Sequence, residues 1–365
     1  MVLNNRVESV DLLRGLTIVA MILVNNPGSW SHVYAPLLHA EWHGLTPTDL
    51  IFPFFLFIVG ISIHLAYKNK TNNKSTYRKI IIRSLKLFSL GFFLAWFLPY
   101  FPFFRDLDVV RIPGVLQRIG FVFFFSAILY LNCNWKTLLG IGLVILIGYW
   151  LLLGFVPLPD GALPTFDRAS NNWAMYIDSN ILGEHMWKED YDPEGLVSSL
   201  PAIATCISGI LIGRILTSAK NNLVKNLIAI SAILLITGYV WSLWFPLNKA
   251  IWSSSFVLVT SGWATLILAI IYYLQDIKQI KFGAVFKQVG MNAIAIFFVS
   301  GFIAKTFYLT KVGENQRIHS WLYETFFTYD FLSSKLSSLL YALFVIGFYL
   351  WLANVLYRKK IFIKV

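Results

Sequence analysis

"LHAEWHGLTPTDLIFPFF", residues 38–55, changes character part-way along. Two histidines, a glutamate and a Thr-Pro-Thr-Asp turn come first; an apolar run then begins and continues through "LFIVGISI" (56–63) without a charge. About 18 or more such residues suffice to cross a bilayer as a helix. Outward from this stretch, which opens a run over 48–67, comparable runs lie at 11–30, 80–98, 112–131, 136–156, 196–216, 224–245, 251–273, 288–308 and 335–357. With 57% hydrophobic and 13% charged residues, most of the 365-residue chain cannot be the surface of a soluble globule. The expected fold is an all-α integral membrane bundle of about ten transmembrane helices, with both termini on one side.

Lysine and arginine sort the loops, because short cytoplasmic connections retain positive charge. With the N-terminus inside, twenty of the thirty basic residues fall on inner segments, from Arg6 and Arg14 through the group between Lys68 and Lys86 to Lys220 and the tail from Arg358 to Lys364. The same segments hold only Glu8, Asp11 and Asp276 of the eighteen carboxylates. The net charge of +12 is therefore a topology signal, and no folded basic face for nucleic acid is visible. The first span starts directly after "MVLNNRVESVD" without a small-residue cleavage site, so a retained anchor is expected. Cys133 and Cys206 lie in or beside different spans, which makes a disulfide framework unexpected.

Most connections are short, which favours one compact bundle, read as a single domain over 1–365. Residues 157–195, rich in Pro, Gly, Asn and acid, form a long outer connection between spans five and six and are expected to be an ordered cap. In the outer segment 309–334, Trp321, Tyr323 and Tyr329 suit headgroup-level anchors. No internal repeat is evident, which counts against an inverted-repeat transporter.

The opening stretch carries most of the chemistry. Thr46, Pro47 and Asp49 read as a helix start: a capping threonine, a proline at the first helical position and an acid three residues on. Asp49 either only caps that helix or also orients a nearby histidine. His39, seven residues before the proposed cap, is either an interfacial histidine bonded to backbone or a group that exchanges protons near neutral pH. A metal cluster of His32, His39, Glu41 and His43 is disfavoured, because Gly44 interrupts a helix through the pair and no arranged third and fourth ligands follow. At the outer end of span one, "LVNNPGSW" (23–30) breaks at Pro27 and Gly28. Asn25 there is either a turn residue or an amide able to donate to an oxygen that develops negative charge. Arg118 falls about two turns into span four, roughly 10 Å deep, where a charge needs a partner or a cavity.

Five ordered segments resemble a known family. "RVESVDLLRGLTIVAMILVNN" with "HAEWHGLTPTDLIFPFFLFIVGISI", then "RIPGVLQRIG", "YDPEGLVSSLPAI", "PLNKAIWSSSFVL" and "GMNAIAIF", resemble the catalytic domain of the heparan-alpha-glucosaminide N-acetyltransferases, transmembrane acetyltransferases with bacterial relatives. The resemblance implies transfer of acetyl from cytosolic acetyl-CoA to the amine of a glucosamine unit across the membrane, with no metal. It also implies a homodimer in a bacterial inner membrane, and the distribution of basic residues puts both termini in the cytoplasm. The family's key histidine matches His39 of "HAEW", its "VN" asparagine matches Asn25, and the acid of "GLTxxDLxFP" matches Asp49. This chain departs from the lysosomal enzyme: no luminal domain or extra helix is expected ahead of the conserved region, "NNPGS" replaces a glycine-rich run, and His43 replaces an asparagine.

Given that reaction, the donor must thread part-way through the bundle. Arg14, Arg83 and Lys86 are expected at a basic inner mouth that meets the CoA phosphates, although each also reads as ordinary positive-inside charge and Arg14 as a partner of Asp11. Gln117 and Arg118 are expected to contact pantetheine or to brace the site. Trp42, Asp192, Glu194, Asn248 and Lys249 are expected on the acceptor side, the acids forming a rim that attracts a cationic amino sugar. Rival readings are an amino-sugar transporter and an acyltransferase for a lipid-linked or cell-envelope acceptor. Spans six to ten carry no mid-span acid, which favours the enzyme. Membrane lipid is the remaining expected partner.

Overall fold

A backbone in hydrocarbon has no water to bond, so apolar runs satisfy their amides and carbonyls within helices. A computed structural model describes residues 7–218, 222–313 and 316–363; Arg6, Lys220 and Lys364 of the basic set lie outside them. Among the described residues the helices are α1 (Glu8–Asn25), α2 (Ile51–Tyr67), α3 (Lys74–Trp96), α4 (Val115–Asn132), α5 (Trp135–Phe155), α6 (Trp173–Leu182), α7 (Ser199–Ser218), α8 (Leu223–Trp241), α9 (Ser254–Tyr272), α10 (Ala284–Met291), α11 (Ala293–Leu309), α12 (Ile318–Phe327) and α13 (Ser334–Arg358). Strand is confined there to a two-residue antiparallel pair, β1 (Lys311–Val312) and β2 (Gln316–Arg317).

The fold is all-α. Helices α2, α4, α5, α7, α8, α9 and α13 are long and apolar enough to cross a membrane, seven in all, or eight if α10 and α11 count as one span bent by 84°. The ten apolar runs of the sequence each fall on a helix or on that bent pair. The difference in number has a physical cause: α1 has 18 residues but carries Glu8, Asp11 and Arg14, and α3 has 23 but carries Lys74, Arg78, Lys79, Arg83 and Lys86. The bend at Asn292 leaves no trace in the hydropathy. Its side chain donates to the carbonyl of Ile361 at 3.1 Å and accepts from the amide of Ile363 at 2.8 Å, so the segment after α13 bonds to the break.

The 38–50 loop marks one end of the bundle, the site end, and the stretch where α2 finishes and α3 begins marks the other, basic end. Helix α2 is clamped against α7 by small residues: a Cβ on Gly60 would meet the Cys206 carbonyl oxygen at 2.0 Å, and one on Gly209 would meet the Phe57 oxygen at 1.9 Å. Only glycine allows backbones to approach so closely. The buried core runs through α1, α2, α4, α7 and α9, including Ile18, Phe55, Phe123, Ile207 and Phe256. At the site end the long connection contains α6, and the 309–334 segment contains the strand pair and α12.

Candidate active site

The loop before α2 is built around one carboxylate. Asp49 sits in a turn of 3-10 helix, Pro47–Leu50, with Thr46 and Asp49 in the capping-box arrangement. Its Oδ2 accepts from the amide of Thr46 at 3.0 Å, the Thr46 hydroxyl at 3.0 Å and the amide of Ala40 at 3.1 Å. Its Oδ1 lies 2.6 Å from Nδ1 of His39. A carboxylate so supplied with donors is acceptor-only, so in the neutral ring the proton sits on Nδ1 and the lone pair on Nε2. The Asp49 side chain is 1% exposed and that of His39 is 48% exposed: the acid is structural bedrock and the ring faces open space.

A second loop closes on the ring. Gly44, at φ +123°, turns the first loop so that its amide donates to the Leu247 carbonyl at 2.8 Å. That turn requires the left-handed region in which glycine is unstrained. Asn248 is wholly buried: its amide donates to the Ser253 hydroxyl at 3.1 Å, its Oδ1 accepts from the amide of Ile251 at 3.0 Å, and its Nδ2 lies 3.3 Å from Nδ1 of His43. The loop so fixed delivers Lys249, whose Nζ lies 3.1 Å from Nε2 and 3.2 Å from Nδ1 of His39. Burial pushes the Lys249 amine below the usual lysine value, against the pull of Glu194 and Asp49. Among the described residues Lys249 forms no salt bridge.

Asn25 completes the group. It is the last residue of α1, and Asn26 behind it is buried with its amide donating to the Ile22 carbonyl at 2.8 Å. The Asn25 side chain is exposed and has no hydrogen-bond partner among the described residues. Asn25, His39 and Lys249 line one cavity of about 550 Å³ together with Asp49, Trp42 and Glu194. The same cavity reaches Met21, Phe52, Val115 and Phe297. Phe297, on α11, is the cavity's apolar wall opposite Met21, one turn from the end of α1, and Phe52, in the first turn of α2.

The acids behind it are matched. Arg111 donates to Asp192 at 2.7 and 2.5 Å and to Glu194 at 2.6 Å. Burial opposes its charge, yet these bonds push the Arg111 guanidinium upward; burial also opposes the Glu194 charge, yet Arg111 and Arg118 hold its carboxyl below the usual range. Asp192 further accepts from the amides of Trp187 at 2.9 Å and Glu194 at 2.8 Å. Arg118, 2% exposed, donates to the Gly195 carbonyl at 3.0 Å and to the Ser198 hydroxyl, with its guanidinium 5.1 Å from the ring centre of Trp252. It braces the turn that presents Glu194, while its Nε and Nη1 have no partner among the described residues. Gln117 donates to the Ile112 carbonyl at 3.1 Å.

The structure thus brings His39, Asn25, Asp49, Trp42, Glu194 and Lys249 to one cavity, with Asp192 and Asn248 directly behind its wall. The residues expected to meet the donor are elsewhere. Arg14 donates to Asp11 and to the Ser62 hydroxyl, both at 2.8 Å; Arg83 lies 4.6 Å from the Phe123 ring centre; Lys86 is exposed on α3; and none of the three lines the cavity. Gln117 and Arg118 do not line it either. Sequence reasoning did not single out Arg111, Trp187 or Tyr191, which do. Arg111 opens the quoted "RIPGVLQRIG", and the signal available was a cation on the acid-rich side, one of several there with Arg105, Arg168 and Lys188. Trp187 and Tyr191 reach the cavity because the long connection folds back, with Tyr191 edge-on to Trp42 at 5.3 Å. Among the described residues no group of three His, Cys, Asp or Glu side chains converges as metal ligands would; His43 instead lies 2.9 Å from Asp167.

Known proteins were compared with this chain. Over 99% of its length it is 29% identical to the human heparan-alpha-glucosaminide N-acetyltransferase and 28% identical to that of the mouse. It spans 60% and 61% of those two proteins, about three fifths of the length of the curated relatives it matches. The sequence profile described as "Heparan-alpha-glucosaminide N-acetyltransferase, catalytic" matches residues 6–245, which takes in Asn25, His39, Asp49, Arg111 and Glu194 and stops four residues before Lys249. The chain therefore belongs to the heparan-alpha-glucosaminide N-acetyltransferase catalytic family.

Proposed function

We propose that the protein transfers acetyl from acetyl-CoA to the amine of a glucosamine-type sugar, at the cavity where Asp49, His39 and Lys249 meet. The observation that carries this reading is the 2.6 Å contact between Asp49 and Nδ1 of a half-exposed His39, which leaves Nε2 available at the wall of a cavity of about 550 Å³. In the direct route, Nε2 takes a proton from the acceptor ammonium. The freed amine attacks the thioester carbonyl, the C–S bond breaks, and CoA leaves as a thiolate that receives one proton from the ring, while the second proton lost by the nitrogen on becoming an amide passes to solvent. In the two-step route Nε2 attacks the thioester and takes the acetyl as the C–S bond breaks and CoA leaves; the acceptor amine then takes the acetyl, the N–acetyl bond to Nε2 breaks, and the amine's proton is released. In both, the Asn25 amide and the Lys249 ammonium are the donors available to the tetrahedral oxyanion.

The apolar walls at Met21, Phe52 and Phe297 suit a pantetheine arm. With the basic end in the cytoplasm the acceptor side lies outside, as the distribution of lysine and arginine favours. Under this reading the chain is one transmembrane acyltransferase domain of a bacterial inner membrane, working as a homodimer. Glu194 and Trp42 offer a charge and an apolar face to an amino sugar.

Purified protein given acetyl-labelled acetyl-CoA and glucosamine tests the proposal: labelled N-acetylglucosamine and free CoA are expected, both formed about 10³-fold more slowly by His39→Ala. Uptake of glucosamine into vesicles without any need for acetyl-CoA would overturn it in favour of transport. Full turnover by His39→Ala would remove the role given to that ring.

A further inference from the structure

Two neighbouring cavities at the basic end are unrelated to the acetyl-transfer site. The first, of about 200 Å³, lies among the basic ends of α2, α4, α5 and α7 and is lined by Lys68, Lys70, Arg214, Asn72, Tyr67 and Tyr130 among others. Three cations and no carboxylate line it. Among the described residues none of those three cations forms a salt bridge, in contrast to Arg14, Arg111, Arg168 and Lys287. The second, of about 700 Å³, is an apolar groove with walls on α5 and α8 over α7 and α9. Trp135, Leu211 and Arg214 line both, so the two adjoin.

The dimensions match one lipid. Along α5 the groove runs from Trp135 to Leu146, eleven residues or roughly 16 Å, about half the 30 Å of a bilayer's hydrocarbon. It therefore starts at headgroup level, where Trp135 lies 42% exposed, and ends near the midplane. Its lining is aliphatic apart from Trp135, Arg214 and three serines. A cationic pocket at the mouth of such a groove has the chemistry of an anionic phospholipid site. We infer that this pocket and groove hold one anionic phospholipid, its phosphate between Lys68, Lys70 and Arg214 and one acyl chain between α5 and α8. The charge argues for this occupant over a zwitterionic lipid, and the depth of a single leaflet argues for it over a soluble nucleotide. The inference does not rest on the acetyl-transfer reading.

Native mass spectrometry of the full chain, released from detergent after incubation with palmitoyl-oleoyl phosphatidylglycerol or phosphatidylcholine, tests it. One phosphatidylglycerol retained about tenfold or more in preference to phosphatidylcholine is expected, each cation near an anionic headgroup contributing about 1 kcal/mol. Lys68→Gln with Arg214→Gln should abolish the preference, and Lys68→Arg with Arg214→Lys should keep it, which separates lost charge from lost folding. Gly142→Leu adds bulk to the groove, where a Cβ meets only Ile207 at an ordinary 3.7 Å, and should lower retention of both lipids. Equal retention of the two lipids, or a preference that survives the double Gln change, would overturn the site. So would displacement of the lipid by free CoA, or a groove covered by a second copy in a lipid-free dimer.

Discussion

The two ends of this bundle treat charge in opposite ways. At the site end Asp49, Asp192, Glu194, Arg111 and Arg118 find partners inside the fold, and the groups facing space include His39, Asn25, Glu41 and the Lys249 amine that touches His39. At the basic end Lys68, Lys70 and Arg214 have no acid beside them and can be matched only from outside the chain. The lesson is that polar density alone does not locate chemistry. A carboxylate with four donors is architecture, and the ring it holds is the reactive part.

The largest effect expected from breaking this contrast is at the ring. His39→Ala should lower turnover by about 10³-fold, the range of a positioned proton acceptor, with unchanged thermal stability because the side chain is half exposed. Stopped-time assays with labelled acetyl-CoA measure it. Arg111→Met attacks the matched charges instead: leaving Asp192 and Glu194 buried without their cation should cost about 3 to 5 kcal/mol of stability, read from the unfolding midpoint. Asn25→Ala removes a donor with no structural partner and should lower kcat by about 10²-fold while leaving the unfolding midpoint in place.

The smallest effect is a pH slope. Asp178 is pushed up to about 6, chiefly by burial, while the amides of Val197 and Leu196 pull it back. Its folded value lies above the unfolded 3.8, so the folded state holds the extra proton and stability falls as pH rises through the window from 3.8 to about 6. Asp178→Asn should remove that part of the slope when the unfolding midpoint is followed across the window.

Much of the fold was legible because the hydrocarbon thickness sets run length, and each of the ten runs coincides with helix. The bend at Asn292 was not, since it depends on bonds to Ile361 and Ile363, far along the chain. Helices α6 and α12 were read as loop because their short apolar faces pack only once the long connections fold back. At the site, Thr46, Pro47 and Asp49 announced a helix start through local capping chemistry, and His39 lay within reach of it. Arg111, Trp187 and Tyr191 could not be assigned, because their place is set by tertiary contacts across 80 or more residues, such as that between Arg111 and Asp192. Arg14 shows the converse: its spacing to Asp11 already fitted the local pair that the structure contains.

The carboxylate that starts α2 also steers the imidazole, so one atom pair couples reactivity to the threshold of a membrane helix. Evolution or engineering that relocates the histidine must re-found that helix as well, which ties any drift in acceptor choice to residues that approach the ring from other directions.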